Sequence, residues 1–187
     1  MADARHQEDG AGIRTARLWI RRPEAADATD IATAANDPRV AANLRDAFPS
    51  PYTPADARDW IAMPRAHPLQ GLVIVRDRRV IGGIGLDPGD DVHRHGAELG
   101  YWLGTDHWGA GYMSEAVAAL CDHAFATTTL QRLHALVFDG NPASDRVLQR
   151  CGFVFEGIAR RGILKHGRFL DARMYARLKG EDPPSGG

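Results

Sequence analysis

The shortages of this sequence narrow the field before its contents do. Of 187 residues only two are cysteines, Cys121 and Cys151, far apart and without the spacing of metal ligands. That excludes a disulfide scaffold and leads us to expect a free-thiol protein of a reducing cytoplasm. No apolar run approaches the roughly 18–20 residues a membrane span requires. The opening MADARHQEDGAG is polar and has no apolar centre, so no secretory signal is read there. Charge of one sign is lacking too. With 23 basic and 24 acidic residues the formal net charge is −1, which gives no electrostatic reason to expect nucleic acid or a membrane surface as a partner. The local basic clusters 76–79 and 160–165 read as solvated faces. Internal repeats are absent. What remains, 44% hydrophobic and 25% charged residues, is the composition of an ordinary globular protein with one domain's worth of chain.

The order of elements follows from periodicity and stop signals. Residues 1–12 are small, polar and charged and are expected to form a disordered arm. A single domain is expected over 13–179, and a flexible tail over 180–187. Thr15–Ile20 reads as a first strand. Glu24–Asn36 reads as a helix on the spacing of Ala28, Ile31 and Ala35, and Asp37–Asp46 as a second, capped by Asp37 with Pro38 at its first position. Thr53 caps a third, which Pro54 starts and Pro64 stops. Leu72–Arg76 and Arg79–Leu86 form a hairpin about Asp77-Arg78. Gly82, Gly83 and Gly85 lie inside its second strand with no helix following, so they signal close strand packing or a bulge, not a phosphate loop. Asp87–Gly96 is a polar loop. A fourth strand follows at Glu98–Leu103, a long helix at Tyr112–Thr127 and a fifth strand at Arg132–Asp139. Asn141 then caps a helix that Pro142 begins and Gly152 ends. Two last strands, Phe153–Ala159 and Phe169–Leu178, flank a basic loop at Arg160–Arg168. The result is an α/β protein with a mixed sheet and helices on both faces.

The chemistry concentrates in 97–116, AELGYWLGTDHWGAGYMSEA. Leu99, Tyr101 and Leu103 point to one face of the strand, and Glu98, Gly100 and Trp102 to the other. A strand, a glycine-bearing turn and a helix start together make an anion cradle. The first backbone N–H groups of a helix have no intrahelical partner and sit at the positive end of its dipole. Gly109 and Gly111 let that backbone approach a ligand; the alternative is that they only turn the corner.

This stretch resembles the acyl-CoA-binding motif Q/R-x-x-G-x-G/A of the GNAT acetyltransferase superfamily, with Trp108 at its first position, Gly111 at its fourth and Met113 at its last. A tryptophan there, with E-I-G-Y-W-L and H-W-G-x-G-Y around it, is familiar in the branch of the RimJ and RimL ribosomal-protein acetyltransferases. The run Asn141-x-x-Ser144-x-x-Val147-Leu148-x-x-Cys151-Gly152-Phe153 resembles the second family signature. Met113 brings a larger side chain than the usual Gly or Ala, so a tighter fit about the pyrophosphate is expected.

The resemblance implies the GNAT fold, with a mostly antiparallel sheet splayed between its fourth and fifth strands, and direct transfer of acetyl from acetyl-CoA to an amine. It implies that Tyr101, Trp102 and Leu103 line the pantetheine arm, with the Leu103 N–H on the thioester oxygen. Trp108, Gly109, Ala110, Gly111, Tyr112, Met113 and Ser114 would form the pyrophosphate site, joined by Asn141 and Ser144. Glu98 matches a glutamate that acts as base in several relatives; its alternative is an ordinary ion-pair position. The tyrosine that protonates the leaving thiolate in many relatives is replaced by Leu148, and Ser144 is its substitute or an early-turn serine bonding its own helix. Phe48 and Tyr52 are walls of an acceptor pocket or aromatic core, and the loops 44–52 and 163–168 would select the acceptor. A homodimer is implied for the assembly, and no metal; His93 and His95 alone are weak ligands.

The acceptor favoured by the resemblance is a protein N-terminus. An α-amino group titrates near 7.7–8.0, so neutralising it at pH 7 costs only about 1 kcal/mol, whereas a lysine costs roughly 4–5 kcal/mol. The alternatives are a small-molecule amine of metabolite or antibiotic type, and a non-catalytic acyl-CoA sensor.

Overall fold

The computed structural model describes residues 12–181. In chain order these form β1 (Gly12–Arg14), β2 (Trp19–Arg21), α1 (Ala28–Ala35), α2 (Pro38–Ala41), α3 (Pro54–Ala62), β3 (Leu72–Arg76), β4 (Arg79–Pro88), β5 (Gly96–Leu103), α4 (Tyr112–Thr127), β6 (Arg132–Phe138), α5 (Pro142–Arg150), β7 (Val154–Lys165) and β8 (Arg168–Leu178). The eight strands make one sheet in the order β1-β2-β3-β4-β5-β6-β8-β7. Every neighbouring pair is antiparallel except β5 and β6.

That one parallel pair positions everything of interest. β5 and β6 are the expected fourth and fifth strands, and they stay paired only at Gly96↔Arg132, Ala97↔Leu133 and Glu98↔His134. Beyond Glu98 they part, while β5 continues along β4 as far as Gly82↔Leu103. Gly104 donates to the Ile81 carbonyl, so the even residues of β5 bond toward β4. By alternation, the N–H and C=O groups of Tyr101 and Leu103 turn toward the gap.

The two faces of the sheet are unequally covered. α4 and α5 pack on one, around Leu99, Leu103, Val117, Leu120, Leu133, Leu148 and Tyr175. α1 and α3 cover the other only over β2–β4, around Ile31, Ala57, Val73, Val75 and Val80, with Trp102 and Phe48 packed against that smaller cluster. The glycines of β4 fit this packing. A Cβ on Gly82 would lie 2.5 Å from the Trp102 carbonyl, one on Gly83 2.5 Å from Trp102 Nε1, and one on Gly85 2.7 Å from the Gly71 nitrogen. Close approach is what these positions require.

Four expectations are corrected. The first strand, expected at Thr15–Ile20, is instead a hairpin, because the Thr15 hydroxyl accepts from the Leu18 N–H and turns the chain. Gly12, expected within the arm 1–12, pairs with Arg21; residues 1–11 and 182–187 of the expected arm and tail lie outside the described residues. The second helix, expected to reach Asp46, ends at Ala41. The basic loop expected at Arg160–Arg168 is mostly strand, since β7 runs to Lys165, turns through His166-Gly167 and returns as β8. A register shift between Ala159 and Ile163 absorbs the irregular residues, and the Arg161 N–H donates to Asp171 Oδ1 at that bulge. The alternating signal was lost because a bulge resets which side chains face in.

Candidate active site

Beside the free edge of β5, past the point where it leaves β6, lies a groove of about 430 Å³ lined by Tyr101, Leu103, Trp108, Gly111, Ser114 and Asn141, with Ser144 and Val147 from α5. Its floor is β5 and its far end the start of α4. Gly109 and Gly111 have φ of 76° and 79°, a region costly for residues with a Cβ. This bend aims the free N–H groups of the first turn of α4 into the groove. The turn is braced from behind. Arg17 Nη1 donates to the Ala110 carbonyl at 3.0 Å while Arg17 Nε meets Glu115 Oε2 at 2.6 Å, and the Thr15 hydroxyl donates to Glu115 Oε1 at 2.6 Å. Burial raises the Glu115 carboxyl's affinity for its proton, but the bonds from Thr15 and Arg17 outweigh it and hold the group below its usual range.

Several motif residues do something their position in a motif does not reveal. The Trp108 indole donates to the Leu103 carbonyl at 2.8 Å, tying the turn to the end of β5 and leaving the Leu103 N–H toward the gap. Met113 was expected to crowd the pyrophosphate site. Its side chain is 7% exposed and packs in the core, while the residue still lines the groove. Tyr112 is buried with its ring beneath Arg17 and Arg76. Trp102 lines the groove, but its ring packs on the opposite face of the sheet, 5.7 Å from that of Phe48.

At the N-terminus of α5 the Asn141 side chain caps the helix, accepting from the Ser144 N–H at 3.3 Å, and Asn141 Nδ2 donates to Ser144 Oγ at 3.1 Å. The serine oxygen is thereby used as an acceptor and its own proton is left to donate. The Tyr101 phenol donates to the Ser144 carbonyl at 3.4 Å, and burial pushes its pKa well above the ordinary value. Tyr101 borders the groove and two further cavities, of about 370 and 490 Å³. The sequence marked it as a lining residue and did not reveal this junction.

Both further cavities reach Glu98 and Gly100. The smaller lies between Leu44–Asp46 and the tip of the β7–β8 hairpin. The larger is walled by Phe48, Tyr52, Trp60 and Trp102. Phe48 is half-buried, whereas Tyr52 is 5% exposed and serves the core as much as the cavity; burial pushes its phenol up to about 12. Glu98 itself forms an ion pair with Arg45 at 2.6 Å. Its register partner His134 is one the sequence reading missed: burial lowers the imidazole pKa, while the charges of Glu98 and Glu156 oppose that shift and Arg132 adds to it. Among the described residues no three His, Cys, Asp or Glu side chains gather as a metal site. No helix there is long and apolar enough to cross a membrane.

The sequence and the fold have known parallels. A family model described as acetyltransferase (GNAT) domain matches residues 17–154. The uncharacterized N-acetyltransferase p20 of Bacillus licheniformis is 34% identical over 176 residues, covering 90% of this chain and 97% of that protein. The ribosomal-protein-serine acetyltransferase of Escherichia coli strain K12 is 31% identical over 106 residues, 57% of this chain and 59% of that one. Among solved structures, Mycobacterium smegmatis RimJ in complex with CoA-disulfide superposes with a TM-score of 0.80 at 22% identity, covering 90% of this chain and 85% of that one.

Proposed function

The chain belongs to the GNAT acetyltransferase family, and from that premise we propose that this N-acetyltransferase takes acetyl from acetyl-CoA and passes it to a protein N-terminal α-amine. The observation that carries the reading is the opened sheet. Tyr101 and Leu103 turn backbone groups into a gap where β6 no longer answers them, and an extended pantetheine arm satisfies such an edge as an added strand would. The braced turn from Gly109 to Ser114 suits a diphosphate, since its N–H groups converge and its glycines leave room.

Acetyl-CoA, when bound, supplies an activated acetyl thioester. The Leu103 N–H then faces the oxygen on which charge develops. Glu98, beside the gap and open to both acceptor cavities, accepts the proton that the ammonium must lose before it can attack. Ser144 gives its hydroxyl proton to the departing sulfur, a role suited to an oxygen whose lone pair Asn141 already engages. An α-amine fits so modest an apparatus, and the name of the Escherichia coli relative is that of an enzyme acetylating a ribosomal-protein serine. A homodimer is the proposed assembly. Among the described residues no helix covers the face of β6, β8 and β7 away from α5, and there Leu136 is 43% and Val154 47% exposed.

The test is mass spectrometry of peptides with different free N-terminal residues, incubated with acetyl-CoA beside a panel of small amines. Acetyl on the α-nitrogen of a peptide is the expected product. Modification of the small amines alone would assign the protein to metabolite chemistry instead.

A further inference from the structure

The guanidinium of Arg45 is paired with the carboxylate of Glu98, the group proposed above as the base. Arg45 Nη2 lies 2.6 Å from Glu98 Oε1, with side-chain exposures of 69% and 28%. The residues on either side of Arg45 are fixed. Lys165, 8% exposed at the tip of the β7–β8 hairpin, donates to the Leu44 carbonyl at 2.8 Å and to Asp46 Oδ1 at 2.8 Å. One buried ammonium thus pins residues 44 and 46 while the side chain between them stands in solvent. The segment also divides the acceptor space, since Leu44, Arg45 and Glu98 border both cavities and Leu44 borders the groove as well.

Building on the reading that Glu98 receives the acceptor amine, we propose that Arg45 is a gate displaced by substrate, and so sets how tightly an acceptor must bind to be admitted. An exposed ion pair is weak and exchanges readily, so an arriving ammonium can replace the guanidinium. Only the side chain has to swing, because Lys165 holds the Leu44 carbonyl on one side and the Asp46 carboxylate on the other. The closed pair imposes the same handicap on every acceptor, lowering apparent affinity by the fraction of molecules whose gate stands open. An acceptor with more of its bulk bound in the aromatic cavity offsets that handicap from contacts remote from the amine. A peptide does so more readily than a small free amine.

The experiment measures steady-state kinetics of Arg45→Gln, Arg45→Lys and Glu98→Gln, with a serine-led hexapeptide and benzylamine as separate acceptors. For R45Q the acceptor KM is expected to fall roughly fivefold for whichever acceptor is turned over, as expected when a competing state is removed, with the KM for acetyl-CoA unchanged. R45K keeps a cation on a stem of similar reach and is expected to hold the KM near the wild-type value. An unchanged or increased acceptor KM in R45Q, or an R45K that behaves like R45Q, would overturn the gate. E98Q decides separately whether that carboxylate is the base: a loss of kcat in E98Q beside an unaltered KM in R45Q would leave the base standing and remove the gate.

Discussion

At the scale of single residues, the motif positions were legible and their partners were not. Trp108 could be found from the resemblance to the family motif, yet its work, an indole bond to the Leu103 carbonyl, depends on how the turn folds back. For Met113 the sequence did not say that most of its side chain lies in the core, since it does not show which way the second residue of a helix faces. Arg45 could not be connected to Glu98 at all, since 53 residues separate them and a fold is needed to bring them together. Two substitutions test the proposed roles. Glu98→Gln is expected to lower kcat by about 100-fold or more, the usual worth of a positioned base, with the dissociation constant for acetyl-CoA within about twofold of wild type. Ser144→Ala is expected to cost about tenfold or more in kcat on the same principle, and full activity in that variant would return Ser144 to a helix-terminal role.

At the scale of elements, what was read correctly had local punctuation. α3 was announced by Thr53 and Pro54, the β3–β4 hairpin by its two-residue turn, and α5 by Asn141 and Pro142. What was missed depended on distant partners. The turn between β1 and β2 is set by Thr15 and held to the first turn of α4 through Glu115, 100 residues away. The β7–β8 hairpin hides a bulge whose order comes from Asp171 across the ladder. The Glu115 brace has a pH signature. Its carboxyl is held below the usual value of 4.5, so the stabilisation it provides is present above that pH and is lost as pH falls through the lower folded value. Melting temperatures below pH 4.5 are therefore expected to fall more steeply for wild type than for Glu115→Gln. At neutral pH that variant is expected to lose about 1 kcal/mol, a charged hydrogen-bond contribution discounted for partial exposure, and to bind coenzyme A less tightly because Arg17 no longer steadies Ala110. Equal acid slopes in the two proteins would remove Glu115 from this role.

At the scale of the whole molecule, the fold class and the splayed sheet were accessible through the order of elements and the family likeness, whereas the uneven clothing of the sheet was not. Nothing in the alternation of β6 says that helices will cover one of its faces and leave the other bare. If the bare face joins two copies, light scattering is expected to give twice the chain mass for wild type and the single-chain mass for Leu136→Asp; a monomeric wild type at tens of micromolar would end the dimer proposal. The opened sheet with its braced turn is what every functional statement depends on, and calorimetry with coenzyme A examines it without any assumption about the acceptor. Wild type is expected to bind one coenzyme A per chain. Gly111→Val, which forces a branched side chain into left-handed backbone at a cost of about 1–2 kcal/mol, is expected to bind roughly tenfold or more weakly while keeping its circular dichroism. No heat of binding in wild type, or equal affinity in the two folded proteins, would contradict the assignment of that turn as the diphosphate site.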